Sequence, residues 1–355
     1  LQINGELKNN KKLIINSFVI NEKNNKIKIK NLSLNNSNQI IKIDQANFNY
    51  LDTENKRNNY NIKKESGHNY KVYGTSFNAN SLISNLIDSD NEKENNFFEN
   101  NLNIDLNLKE VYIDKIYFVN DLKGKININN NKVIEADILA SFNNLQNIKF
   151  TIKKSDQGEK ITTIFSSKAK PLVNRYKFIK GFKDGEEGYL DFYSSKKGGV
   201  STSKLVIDNF KVKKIPALAK LLALASLQGI ADLLTGEGIR FTDFEMNFTN
   251  QDNLMKIQEL YAIGPAISIL LEGYVEENKL ISLRGTLVPA TTINRSIASI
   301  PLLGDLLIGK KVGDGVFGVS FKIKGPPKDL ETTVNPVKTL TPRFITRTLE
   351  KIKKN

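Results

Sequence analysis

Apolar and polar residues alternate along most of this chain. "KIKIK" (26–30), "NLNIDLNLK" (101–109), "GKININ" (124–129), "KVIEADILASF" (132–142) and "IKFTIKK" (148–154) change character at nearly every step. A period of two belongs to a β-strand with one dry face and one wet face. Turns rich in Asn, Lys, Gly and Asp separate these segments at hairpin spacing, which predicts antiparallel neighbours. Strands and helices do not alternate regularly, so a doubly wound nucleotide fold is not expected.

The pattern is cleanest in the last 150 residues. "AISILLEGY" (266–274) sets Ile267, Ile269 and Leu271 on one face, and "LISLRGTLV" (280–288) sets Ile281, Leu283 and Leu287 against Ser282 and Arg284. "VFGVSFKIKG" (316–325) sets Phe317, Val319, Phe321 and Ile323 against Gly318, Ser320, Lys322 and Lys324. In "GIRFTDFEMNF" (238–248) the phase slips near Thr242–Asp243, from Ile239 and Phe241 to Phe244, Met246 and Phe248. Such a slip predicts a bulge or a bend that re-aims the strand.

Three helices are predicted near the C-terminus. The first, 215–235, opens with Pro216 in its first turn and stops near Gly236; apart from a stripe of Lys220, Gln228 and Asp232 it is almost wholly Leu, Ala and Ile. A helix that apolar buries most of its circumference. With Lys220 and Asp232 inside it, it is a poor membrane span. The second, about 293–308, is bent or broken at Pro301, and the third, about 342–353, places Arg343, Arg347 and Lys351 on one stripe and Ile345, Leu349 and Ile352 on another.

Composition divides the chain. Asn occurs 36 times in residues 1–150 and 9 times in 151–355, which separates a repetitive strand segment over 1–204 from a C-terminal domain over 205–355. "DSDNEKENNFFENN" (88–101) is polar and charged enough to predict a loop. The formal net charge of +14 favours anionic partners, although a chain this rich in Asn, Lys and Ile carries the stamp of AT-rich codons. With no cysteine there is neither a disulfide framework nor a thiolate metal site. The sequence opens at Leu1 with no charged and apolar leader, so it reads as a mature chain or a fragment.

Candidate chemistry is sparse. From Gly304, "PLLGDLLIGKKVGDG" (301–315) reads G-x-x-x-x-G-K-K, a phosphate-loop pattern with Lys311 where Ser or Thr belongs. A phosphate loop also follows a strand and opens a helix; here the order is reversed. The segment reads better as a helix ending at Gly309, with Lys310 and Lys311 near its carbonyl end. His68 is the only histidine, so a multi-histidine metal site cannot be built. Glu186–Glu187 and Glu276–Glu277 stand in turn-like contexts rather than on facing elements. No nucleophile–base pair emerges, no catalytic, cofactor-binding or metal residues are assigned, and the chain is not expected to be an enzyme. The lysines are spread along strands without clustered aromatics, so no nucleic acid is expected as a partner. What remains is a large apolar sheet face, which must either close on itself, as a barrel or sandwich, or stay open as a groove.

The run "IPALAKLLALASLQGIADLLTGEGIRFTDFEMNF", then "LYAIGPAISILLEGYVEENKLISLRGTLVPATTIN", "IPLLGDLL", "GVFGVSFKIKGPPKDLETTVNP" and "LTPRFITR", resembles the C-terminal region of the AsmA-like family, nearest its YhdP-type branch. The resemblance covers about residues 205–347. It implies a mainly β fold: a long antiparallel meander curled into an elongated apolar groove, with two or three short helices near the C-terminus. It also implies a non-enzymatic protein of the Gram-negative periplasm, tethered to the inner membrane by an N-terminal helix outside these residues. Phospholipid acyl chains would pass along the groove between inner and outer membranes, with membrane surfaces and envelope proteins as partners. The apolar residues named above from Ile239 to Ile323 would line the groove, and Lys310, Lys311, Arg343, Arg347 and Lys351 would meet headgroups. The lysines of "GKKVGDGVF" depart from the family's glycine-rich, uncharged approach to that strand. A structural scaffold of the envelope with a closed β core is the alternative.

Overall fold

The computed structural model describes residues 2–8, 12–84, 98, 101–130, 132–143, 146–176, 179, 181–182, 188–225, 227–289 and 318–337. The chain folds as two compact units, residues 1–168 and 169–355, and both are built mainly of β-strands.

The first unit contains eleven described strands: β1 (Gln2–Lys8), β2 (Lys12–Glu22), β3 (Asn25–Leu34), β4 (Ile40–Leu51), β5 (Arg57–Ser66), β6 (Asn69–Asn78), β7 (Leu102–Tyr112), β8 (Phe118–Asn129), β9 (Lys132–Asn143), β10 (Gln146–Lys154) and β11 (Lys160–Ser166). Each pairs with the next in sequence. All these pairings are antiparallel except β6–β7, which run parallel. A parallel neighbour requires a long crossover, and the chain between Asn78 and Leu102 supplies it. That crossover includes helix α1 (Asn80–Ile83) and a bridge from Phe98 to Ile40. The predicted loop over 88–101 falls here; apart from Phe98 and Asn101 it lies outside the described residues.

The second unit begins with helix α2 (Lys170–Tyr176), which buries Pro171, Leu172 and Val173. Its strands are β12 (Leu190–Lys197), β13 (Val200–Val212), β14 (Ile239–Gln251), β15 (Leu254–Ile263), β16 (Ile267–Glu276), β17 (Leu280–Pro289), β18 (Gly318–Gly325) and β19 (Glu331–Val337). They form an antiparallel meander in chain order. No pairing among the described residues closes the strands of either unit into a barrel, and these open meanders are consistent with a curled groove.

The predicted phase slip is a bend that β13 and β14 share. β13 buries Leu205 and Ile207, then Phe210 and Val212, while β14 buries Ile239 and Phe241, then Phe244, Met246 and Phe248. Register is unchanged across the slip, with Asp208 opposite Asp243 and Phe210 opposite Phe241. Asn209 absorbs it in the left-handed region at φ 52°, a conformation that Asn tolerates better than most residues. The Arg240 guanidinium donates to Asn209 Oδ1 at 2.6 and 3.0 Å. Asn31 on β3 and Asp121 on β8 also adopt positive φ inside strands.

The helix predicted over 215–235 is two helices, α3 (Pro216–Leu224) and α4 (Gln228–Thr235). A straight 21-residue helix would be about 30 Å long and apolar nearly all round. Folded on itself, its halves bury each other: α3 packs on α4 and on β19, and α4 on β14. Leu221, Leu222, Ala231 and Leu234 are buried there. The predicted helices at 293–308 and 342–353 lie outside the described residues, while α1 and α2, both short, carry no sequence pattern that predicts them.

Candidate functional site

Strand register turns the alternation of single segments into rows that cross the second unit. One row runs Ile207, Phe244, Ala262, Ile269, Leu287, Val319 and Pro336. The next runs Leu205, Met246, Leu260, Leu271, Gly285, Phe321 and Val334, and a third runs Ser203, Phe248, Ile257, Gly273, Leu283, Ile323 and Thr332. Ile281 stands one row further, between Val275 and Gly325. Gly285 is needed where it stands, because a Cβ there would come within 2.7 Å of the Phe321 ring and 2.3 Å of the Leu270 carbonyl.

Burial grades along this face on β16–β18, while Met246, Phe248 and Ile257 on β14 and β15 are buried in the second and third rows. Leu287 and Ile267 are 0% exposed and Val319 is 2% exposed, whereas Ile281, Leu283 and Ile323, toward the opposite ends of the same strands, are only half-buried. Ile269 and Leu271 are also half-buried. Ile239 and Phe241 sit beyond the bend in a closed aromatic cluster, with Phe210 stacked on Phe182 at 5.3 Å and on Phe241 at 5.7 Å. Phe244 meets Phe210 edge-on at 6.0 Å. Phe317, Lys310, Lys311, Arg343, Arg347 and Lys351 lie outside the described residues, as do the phosphate-loop-like segment and Glu186–Glu187.

The first unit carries equivalent rows that single-strand reading does not assemble. Ile27, Phe48, Tyr60, Gly74 and Leu108 form one, and Ile29, Ala46, Ile62, Val72 and Leu106 the next. Phe48 stacks on Tyr60 at 4.7 Å, and Tyr60 meets Phe77 edge-on at 4.9 Å. Burial, and then the neighbouring Tyr50, push the Tyr60 hydroxyl well above its ordinary pKa, so it stays neutral. Most of these side chains are half-buried rather than enclosed. "KIKIK" announced β3; β5, "RNNYNIKKES", offers only Tyr60 and Ile62 and is too polar to stand out.

The opposite face carries most of the polar residues, although it also buries Tyr261, Ile263 and Val288. In the second unit Glu245 accepts from the Tyr261 hydroxyl at 2.6 Å and the Asn247 amide at 3.0 Å, and pairs with Lys204 at 3.0 Å. Burial works against its charge, but these three partners outweigh burial and hold the carboxyl below its ordinary value. An open cleft of about 420 Å³ over β15–β19 is lined by Glu272, Arg284, Thr286, Ser320 and Lys322, and also by Leu270, Leu271 and Phe321. Arg284 spends its charge there on Glu272, at 2.6 and 2.7 Å. His68 is exposed in the β5–β6 turn, and Glu276, at the β16–β17 turn, pairs with Lys279 at 2.6 Å. Among the described residues no group of three or more His, Cys, Asp or Glu side chains could hold a metal, and no helix is long and apolar enough to cross a membrane.

No family model matches the sequence, and no match was found among curated proteins or solved structures.

Proposed function

We propose that this chain is a non-enzymatic protein of the bacterial envelope that carries phospholipid between the inner and outer membranes along the apolar face of its sheet. The carrying observation is the set of apolar rows that cross strand after strand and, on β16–β18, leave Leu271, Ile281, Leu283 and Ile323 half-exposed away from the α3–α4 end. An acyl chain laid along such rows gains about 0.8 kcal/mol per methylene removed from water, while its headgroup stays solvated at the margin. The resemblance of residues 205–347 to the AsmA-like family supports the same reading, with the periplasm as the location and an N-terminal membrane tether beyond these residues. The α3–α4 hairpin then serves as a cap at one end of the face.

The test is extraction and mass spectrometry of the purified chain together with a thermal melt. Bound phospholipid is expected in the native chain. Leu283→Glu is expected to cut that load at least fivefold while the fold persists, because Leu283 is half-buried. Leu287→Glu, at a fully buried position, is expected to unfold the second unit. Absence of lipid from the native chain, or an undiminished load in Leu283→Glu, would overturn the proposal.

A second reading, a structural scaffold with a closed β core, draws on the complete burial of Ile267, Leu287 and Val288. It expects no bound lipid, and global unfolding by Leu283→Glu.

A further inference from the structure

The wet face of the first unit is not uniformly charged. On β3, Lys26, Lys28 and Lys30 point to the side opposite Ile27 and Ile29. Register places Lys30 opposite Gln45, Gln45 opposite Lys63, and Lys63 opposite Lys71. In the adjoining rows Lys28 faces Asn47, Asn47 faces Asn61 and Asn61 faces Tyr73, while Lys26 faces Asn49. From β3 to β6 these rows hold lysines, amides, Ser76 and one tyrosine, and no carboxylate; Asp44, next to Gln45 on β4, is paired with Lys42 at 2.8 Å. The first acids in them are on β7, Asp105 opposite Lys71 and Glu110 opposite Ser76. From there the charges alternate, since Asp105 faces Lys125 and Lys125 faces Asp137.

This arrangement is costly for an isolated sheet. Like charges directly opposite, such as Lys63 and Lys71, destabilise a strand pair. Lysines two apart on one strand are separated by about 7 Å, inside the screening length of roughly 8 Å at physiological salt. Their fields therefore add over a patch about 14 Å across, the width of four strands.

We propose that the β3–β6 face, centred on Lys26, Lys28, Lys30 and Lys63, docks the protein on a bilayer surface rich in anionic phospholipid. The charge is carried mainly by lysine, as mobile point charges; the arginine of these strands, Arg57, donates to the Asn24 carbonyl at 2.7 Å rather than offering a free fork to a phosphate. It spreads in two dimensions, as a planar anionic surface requires. Tyr73, 36% exposed at the edge of the patch, supplies an amphipathic ring suited to the headgroup layer. A single-stranded nucleic acid would instead call for several stacking aromatics along a track, and these rows hold only one. The inference rests on the charge of the wet face and does not depend on what the apolar face carries.

The experiment is flotation of the whole chain with vesicles of phosphatidylcholine containing about a third phosphatidylglycerol, against pure phosphatidylcholine, over a range of salt. Native protein is expected to float with the anionic vesicles only and to release as salt rises. Attraction of roughly fivefold in affinity per lysine near an anionic surface predicts a loss of more than a hundredfold for the quadruple variant K26Q/K28Q/K30Q/K63Q. A control variant with the same change in net charge, K197Q/K256Q/K324Q/K328Q, is expected to bind as native. Equal loss in both variants, or undiminished binding of the first, would overturn the proposal. So would tighter binding of a duplex or single-stranded DNA probe than of the vesicles at the same salt. Acyl lipid retained inside the purified chain is measured separately and is expected to be the same in both variants, so this docking surface and lipid carriage can fail independently.

Discussion

Asp52 collects four hydrogen bonds: from the backbone N–H groups of Glu54 and Lys56 at 2.9 Å each, and from the side-chain amides of Asn58 and Asn78 at 3.0 and 2.8 Å. The first two bonds shape the β4–β5 turn, and the last pins that turn to the end of β6. Burial opposes the charge, but the donors outweigh it and hold the carboxyl below its ordinary value. Because the folded value is depressed, the group's stabilisation is present above the unfolded carboxylate range and is lost as pH falls through the folded value. Asp52→Ala is expected to cost about 1–2 kcal/mol at neutral pH, a figure discounted because the carboxylate is partly solvated. Urea titrations at pH 7 and below pH 4 test this, and the difference between native and variant should shrink in acid. The Asp and Asn residues of "DTENKRN" suit a turn, but the bond from Asn78, twenty-six residues away, leaves no mark in the sequence, because sequence spacing carries no register.

At the scale of elements, strand positions were read well wherever polar and apolar residues alternate, because that alternation is itself the imprint of a two-faced sheet. The slip at Thr242–Asp243 was legible too, but only pairing revealed that β13 bends with β14 and that Asn209 takes the left-handed conformation. Asn209→Gly is therefore expected to cost less than about 1 kcal/mol, and Asn209→Val about 2 kcal/mol, since a β-branched residue resists positive φ and loses the Arg240 bonds. Thermal melts of both variants check this, and a Val variant as stable as native would show that the bend relaxes freely. The break between α3 and α4 was hidden for a different reason. Apolar periodicity over 215–235 continues through it, and the turn goes with the packing of α3 on α4 and on β19, an arrangement in which Leu221, Leu222 and Leu234 are buried.

For the molecule as a whole, a net charge of +14 acts against compaction, and Lys63 and Lys71 face each other on the wet face of the first unit. Added salt screens such repulsion. Raising sodium chloride from about 0.05 to 0.5 M is expected to raise the melting temperature by a few degrees. A fall would mean that ion pairs such as Lys204–Glu245 and Arg284–Glu272 outweigh the repulsion between lysines.

Periodicity along the chain was enough to specify a mainly β, antiparallel meander with one apolar face, because side-chain direction in a strand is fixed by position alone. It could not specify the parallel β6–β7 step, which depends on how the chain returns between Asn78 and Leu102. Nor could it tell that Leu287 is sealed while Leu283, four residues away on the same face, is half-open. Both residues obey the same alternation. Their difference arises from what covers each end of the strand, and covering is a property of packing between distant segments.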